Sequence, residues 1–235
     1  MGAIYKRELR SYFSTPVGYV FLAVFLAANG ALFSMFTLKA GAASSVTTYF
    51  TYAIIAFILL IPILTMKTFS EEKRARTEQL LLTAPVSLPA IVLGKFLAAY
   101  TVFVIGIAGA GCNFLLLTQY GDPPAAVIIG SLLCILLIGA ACIAVGVFIS
   151  SLTENQIVAA IITIAVLLVM ILLSIFNSYI ASPFLRSVLN WFSILGRYSD
   201  FSYGIFDFTA LLYYLSLTGI FLFLTVRVFE RRRWA

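Results

Sequence analysis

The ionisable side chains with the tightest spacing are Glu71, Glu72, Lys73, Arg74, Arg76 and Glu78, within the stretch Phe69-Ser-Glu-Glu-Lys-Arg-Ala-Arg-Thr-Glu-Gln-Leu-Leu-Leu-Thr-Ala-Pro-Val-Ser87. Paired acids followed by paired bases, with Thr77 and Leu81 alongside, suit ion pairing and docking against a polar partner rather than bond-making. A membrane hydrolase needs a nucleophile–base pair or a carboxylate cluster, and Glu71-Glu72 beside Lys73 and Arg74 supplies neither. There is no histidine in the chain. There is also no Gly-x-x-x-x-Gly-Lys-Ser/Thr phosphate loop, because Gly94-Lys95-Phe96 lacks the earlier glycine and the hydroxyl residue. Ion-driven carriers use carboxylates or histidines at bilayer depth, and no Asp or Glu falls near the middle of an apolar run. The sequence predicts no enzyme, no catalytic residue, no metal site and no cofactor. Polar contact with something in the water is the chemistry left.

The elements that must position this island are hydrocarbon. Of 235 residues, 63% are apolar and 10% charged, against about 25% charged in soluble domains, and the mean hydropathy is +1.09. Such a chain cannot cover a globule with polar surface, and its apolar runs near 20 residues are helical spans. Six are expected, near 17–38, 49–67, 88–118, 124–150, 156–178 and 208–228, in one transmembrane unit over 1–235. Each ionised side chain at bilayer depth costs roughly 2.5–3.5 kcal/mol, so residues 69–87 must lie at a membrane face. The run from Val17 to Leu38 is longer than the h-region of a secretory signal, about 7–15 residues. It reads as a retained span despite the small residues at Ala40-Gly-Ala42.

With the N-terminus inside, the inner segments hold Lys6, Arg7, Arg10, Lys67, Lys73, Arg74, Arg76, Lys95, Arg227, Arg231, Arg232 and Arg233, and the outer ones only Lys39, Arg186 and Arg197. Twelve against three is a positive-inside bias, which puts both termini on the cytoplasmic side of a cytoplasmic (inner) membrane. The net charge of +6 is thereby spent on orientation and gives no reason to expect nucleic acid.

Local signals fill in the frame. Ile4, Tyr5, Leu9, Tyr12 and Phe13 recur near helical spacing with Lys6, Arg7 and Arg10 between them, which predicts a helix over 1–16 lying on the inner leaflet and turning at Thr15-Pro16. Pro62 removes a hydrogen bond from the second span and should kink it. A helix is expected from Glu71 to Leu82, with Ser70 as its N-cap and Pro85 and Pro89 ending it. Thr153 is the expected N-cap of the fifth span. Gln119 to Pro124 is a tight turn, and Gly139, Cys142 and Gly146 make a small-residue stripe for close helix contact. Asn29 and Asn113 are expected to hydrogen-bond neighbouring helices or their own backbone, with a substrate contact as the other reading. The three cysteines read as small buried hydrophobes. The aromatic outer segment 177–207 suits one or two short interfacial or re-entrant helices, and equally a connector lying on lipid.

On these residues the chain resembles the permease subunits of type-2 ABC transporters, and within them the gliding-motility and copper-periplasmic (nitrous oxide reductase-associated) branch. Lys6-Arg7-Glu8-Leu9, Tyr12-Phe13 and Pro16 match the amino-terminal pattern. Glu71 to Arg74, Leu80 to Ser87 and Ile91 to Lys95 match the stretch between the second and third spans. Many members carry Gly-Thr-x-Glu after the basic pair, where this chain has Arg76-Thr77-Glu78-Gln79. The resemblance implies an exporter permease that works as a homodimer or with a paralogue, among membrane lipids, and is driven by a separate ATPase subunit. It implies that residues 69–87 are a coupling helix touching that subunit through Glu71, Glu72, Lys73, Arg74, Arg76, Thr77, Glu78 and Leu81, with Pro16, Pro62 and Pro85 as structural breaks. A membrane module or mechanotransmitter that anchors an ATPase or envelope complex without moving solute would use the same inner helix.

Overall fold

The computed structural model describes residues 1–38, 45–77, 79, 86–117, 125–176, 189, 193–198, 201 and 206–234. Their main helices, in chain order, are α1 (Gly2–Ser14), α2 (Pro16–Phe33), α3 (Ser45–Thr65), α4 (Ser70–Arg74), α5 (Leu88–Leu117), α6 (Ala125–Leu152), α7 (Gln156–Phe176) and α8 (Phe208–Trp234). Among the described residues, six segments are long and apolar enough to cross a membrane: Pro16–Thr37, Thr47–Arg74, Leu88–Phe114, Ala125–Leu152, Gln156–Phe176 and Phe208–Arg233. The chain is an all-α polytopic membrane protein, with spans within a few residues of those expected. The second is the exception. It runs on to Arg74 because α4 continues α3 after a turn at 66–69 instead of starting afresh.

Helix α6 is the centre of the bundle. Of its apolar window 67% is buried, against 28% for the first, fifth and sixth spans, and it packs on α3, α5, α7 and α8. The small-residue stripe explains how neighbours come this close. A Cβ at Gly139 would run into the Phe103 ring of α5, and one at Gly146 into the Thr65 side chain of α3. Exposed Ile157, Ile161, Val169 and Leu172 of α7 and Leu212 and Phe223 of α8 form the apolar outer wall, as lipid requires.

Many polar atoms within the spans find partners locally or across one helix contact. The hydroxyls of Thr51, Thr65, Thr101, Thr163, Thr218 and Thr225 each donate to the carbonyl four residues back. Asn113 Nδ2 donates to Asn29 Oδ1 at 2.8 Å and joins α5 to α2, as expected.

Helix α1 lies against α5. Its Tyr5 hydroxyl and Thr101 Oγ1 are 3.0 Å apart, and Lys6, Arg7 and Arg10 face water. Thr15 is extended at φ −105 and ψ 155, as a residue before proline prefers, and Pro16 opens α2. Glycine is required at position 18, where a Cβ would meet the Tyr12 carbonyl. That bare position lets α1 fold back on α2.

Two local expectations are corrected. Asn155, not Thr153, caps α7: its Oδ1 accepts the Ile157 N–H at 2.9 Å and its carbonyl the Ala159 N–H at 2.9 Å, so the helix starts two residues later than a Thr153 cap would place it. Cys112 is exposed, while Cys134 and Cys142 are buried. Proline 62 sits inside α3, which runs from Ser45 to Thr65. The turn at Gln119 to Pro124 and most of the outer segment 177–207 lie outside the described residues. Of that segment, a 3₁₀ turn at Leu195–Arg197 is held to the bundle by Tyr214, whose hydroxyl donates to the Ile194 carbonyl at 2.6 Å, and by Ser174 and Ser193, with oxygens 2.7 Å apart.

Overpacking a tight helix contact costs about 1–3 kcal/mol. Gly146→Ala is therefore expected to lower the thermal midpoint of the detergent-purified protein. Gly30→Ala, where nothing lies within 4 Å of the added carbon, should leave it unchanged or raise it slightly. Equal midpoints for the two variants would show that α3 and α6 are not in contact at this stripe.

Candidate functional site

The charged island begins where α3 leaves hydrocarbon. A helix that stops releases its last carbonyls, and each needs a donor. Here they come from several directions. Tyr12 of α1 donates its hydroxyl to the Leu64 carbonyl at 2.9 Å. Thr68 serves Thr65 through its N–H at 3.1 Å and its hydroxyl at 2.9 Å. Met66 is met by the Ser150 hydroxyl of α6 at 3.1 Å and by the Ser70 hydroxyl. Lys95 of α5 donates to the Thr68 carbonyl at 2.7 Å. Burial raises the pKa of the Tyr12 hydroxyl well above its ordinary value, so it remains a donor.

Lys95 is the hub. Its side chain is 1% exposed, and its Nζ stands 3.0 Å from Glu72 Oε1 and 3.2 Å from Glu8 Oε1. The Phe69 ring centroid is 5.0 Å away. From the water side Arg7 Nη2 closes the ring, at 2.6 Å from Glu8 Oε1 and 2.9 Å from Glu72 Oε1. The bond to Glu8, with the charges of Glu8 and Glu72 behind it, outweighs burial and raises the Arg7 pKa. Two carboxylate oxygens are thus each shared by two cations, and α1, α4 and α5 meet at one neutral quartet. Lys67 adds a second tie, donating to Thr15 Oγ1 at 2.8 Å beside the Tyr12 ring. Around these groups lies a cavity of about 320 Å³ whose lining includes Arg7, Glu8, Lys67, Glu71, Glu72 and Lys95.

Helix α4 itself is short. The expected continuous helix from Glu71 to Leu82 is interrupted after Arg74 by a Schellman turn: Thr77 N–H returns to the Glu72 carbonyl at 2.9 Å and Arg76 N–H to the Lys73 carbonyl at 3.0 Å. Arg76 occupies the left-handed position at φ 54, the place normally filled by glycine. Ser70 is not the N-cap. Phe69 holds that position, Ser70 is the first helical residue, and the acceptor for both N–H groups is Ser150 Oγ, at 3.1 and 3.2 Å.

The residues expected at a partner surface divide into two faces. Glu71, Arg74, Arg76 and Thr77 are exposed and Lys73 is half-buried, whereas Glu72 turns inward to the quartet. Glu78, Leu81 and Pro85 lie outside the described residues. Sequence reasoning missed Glu8, Lys95 and Ser150. Lys95 did carry a signal, since an ammonium eight positions into the apolar run from Leu88 demands a counter-ion. Among the described residues no group of His, Cys, Asp or Glu is large enough to hold a metal ion.

Substitutions at Lys95, Glu72 and Arg76 test this geometry. Breaking a buried ion pair from one side costs about 3–5 kcal/mol. Lys95→Met should accordingly cause a large drop in thermal midpoint, and adding Glu72→Gln should recover part of it. At Arg76 the left-handed backbone penalises a side chain by roughly 1–2 kcal/mol, partly offset by the extra chain entropy of glycine. Arg76→Gly should then stabilise the protein modestly and Arg76→Val destabilise it, as read from the same melts.

Residues 14–227 match the model of a family described as ABC-2 family transporter protein. No curated protein matches the chain.

Proposed function

The chain belongs to the ABC-2 transporter family, and from that premise we propose that it is the permease subunit of an ATP-driven exporter, coupled to a separate ATPase subunit. The membrane is the cytoplasmic (inner) one, with both termini inside, a reading supported by the excess of Lys and Arg on the inner segments. Two copies, or one copy and a paralogue, enclose the path between them. The Lys6-Arg7-Glu8-Leu9 and Glu71 to Arg74 motifs favour the gliding-motility and copper-periplasmic branch.

The observation that carries this reading is the two-sidedness of α4. Its inner face is tied by Glu72 to Lys95 and Arg7, and its outer face leaves Glu71, Arg74, Arg76 and Thr77 in the water. A helix free on all sides would deflect without passing on a load, and one buried on all sides would offer nothing to push. Held at the back and open at the front, α4 turns closure of the ATPase pair into displacement of α1 and α5. In this assignment Glu71, Lys73, Arg74, Arg76 and Thr77 touch the ATPase, Glu78 and Leu81 extend the contact along the chain, and Glu72 supports it from behind.

Like-charge juxtaposition at an interface costs several kcal/mol, and 1.4 kcal/mol is tenfold in affinity. Glu71→Lys with Arg74→Glu should therefore weaken capture of the ATPase subunit at least about tenfold while membrane insertion and melting stay normal. Unchanged capture together with unchanged ATP-dependent transport would remove α4 from the interface.

A further inference from the structure

Between Thr47 and Arg74 a single helix is interrupted once. In an uninterrupted helix Ser70 N–H would donate to the Met66 carbonyl. Instead the Ser150 hydroxyl, at the inner end of α6, stands between them: its oxygen accepts Ser70 N–H at 3.2 Å and Phe69 N–H at 3.1 Å, and its hydrogen goes to the Met66 carbonyl at 3.1 Å. A side chain inserted into the i→i−4 ladder is one of the few physical causes of a sharp helix break. Ser150 is fully buried, and its one donor and two lone pairs are all used. A residue some eighty positions away thus stands in the break between the second span and α4.

We propose that Ser150 is a positioning residue of the elbow, which sets the direction of α4 and carries its displacement into α6. The inference rests on the reading of α4 as the ATPase contact. The quartet gives α4 a grip on α1 and α5, and Ser150 gives it a grip on α6, the helix that α3, α5, α7 and α8 surround. Loss of the hydroxyl lets Ser70 N–H bond the Met66 carbonyl directly and Phe69 N–H take the Thr65 carbonyl now held by Thr68, as in any helix. Ser150→Ala should straighten the elbow and redirect α4 while leaving thermal stability nearly unchanged. A merely structural serine would show the reverse pattern.

The test uses the full chain in a Cys112→Ser background, which removes the exposed thiol. Spin labels at exposed positions Ala75 and Glu154 report the elbow. Ser150→Ala is expected to shift their distance distribution and Ser150→Thr to restore it. Ser151→Ala should leave it alone, since that hydroxyl bonds the Phe148 carbonyl of its own helix at 2.6 Å. In complex with the ATPase subunit, an ATP-driven change at a label on exposed Ala126, at the far end of α6, should persist in Ser151→Ala and vanish in Ser150→Ala at unchanged ATPase binding. Should the threonine methyl lower the melting point, the two alanine variants decide the matter by themselves. Wild-type distances and a wild-type ATP response in Ser150→Ala would overturn the proposal. A wild-type Ala75 label indifferent to ATP would instead overturn the ATPase-contact reading, while the static distance still decides whether Ser150 makes the elbow.

Discussion

A buried ammonium governs the end of this protein where α1, α4 and α5 meet. Removing Lys95 from water carries a desolvation penalty of several kcal/mol, which attraction offsets only when the surrounding oxygens are well placed. The protein meets that condition from three elements at once: Glu8 on α1, Glu72 on α4 and the Thr68 carbonyl at the elbow. Each of these must be present for the others to be stable, so the position of α1 and the direction of α4 are not independent. Gly18 and Gly94 are compatible with this, since both let α1 lie close against the spans.

The second constraint is that of hydrocarbon itself. Backbone groups at bilayer depth have no water to turn to, and a helix can be broken at the boundary only where side chains from elsewhere replace the lost bonds. Tyr12, Lys95 and Ser150 do this at the elbow. The break is consequently a tertiary feature: it belongs to α1, α5 and α6 as much as to the segment in which it occurs.

That explains what could be read in advance. Composition and run length were enough for six spans, because the free energy of burying twenty apolar residues in lipid depends little on tertiary context. The amphipathic first helix was legible for the same local reason, as was the stripe of Gly139, Cys142 and Gly146. The elbow was not, because Ser150 is one serine among many until its helix is placed beside residue 66. The turn after Arg74 was hidden differently: arginine carries no local sign of a left-handed backbone, although a glycine at position 76 would have announced it. Glu72 looked like its neighbour Glu71, and only the packing of α5 distinguishes the inward acid from the outward one.

The quartet of Arg7, Glu8, Glu72 and Lys95 holds two positive and two negative groups. If they travel together they carry no net charge, so the electric field across the bilayer does no work on their passage, whereas a lone lysine would feel about 2.3 kcal/mol per 100 mV for a full crossing. These four groups therefore add no voltage dependence of their own to a movement that α1, α4 and α5 make as a unit.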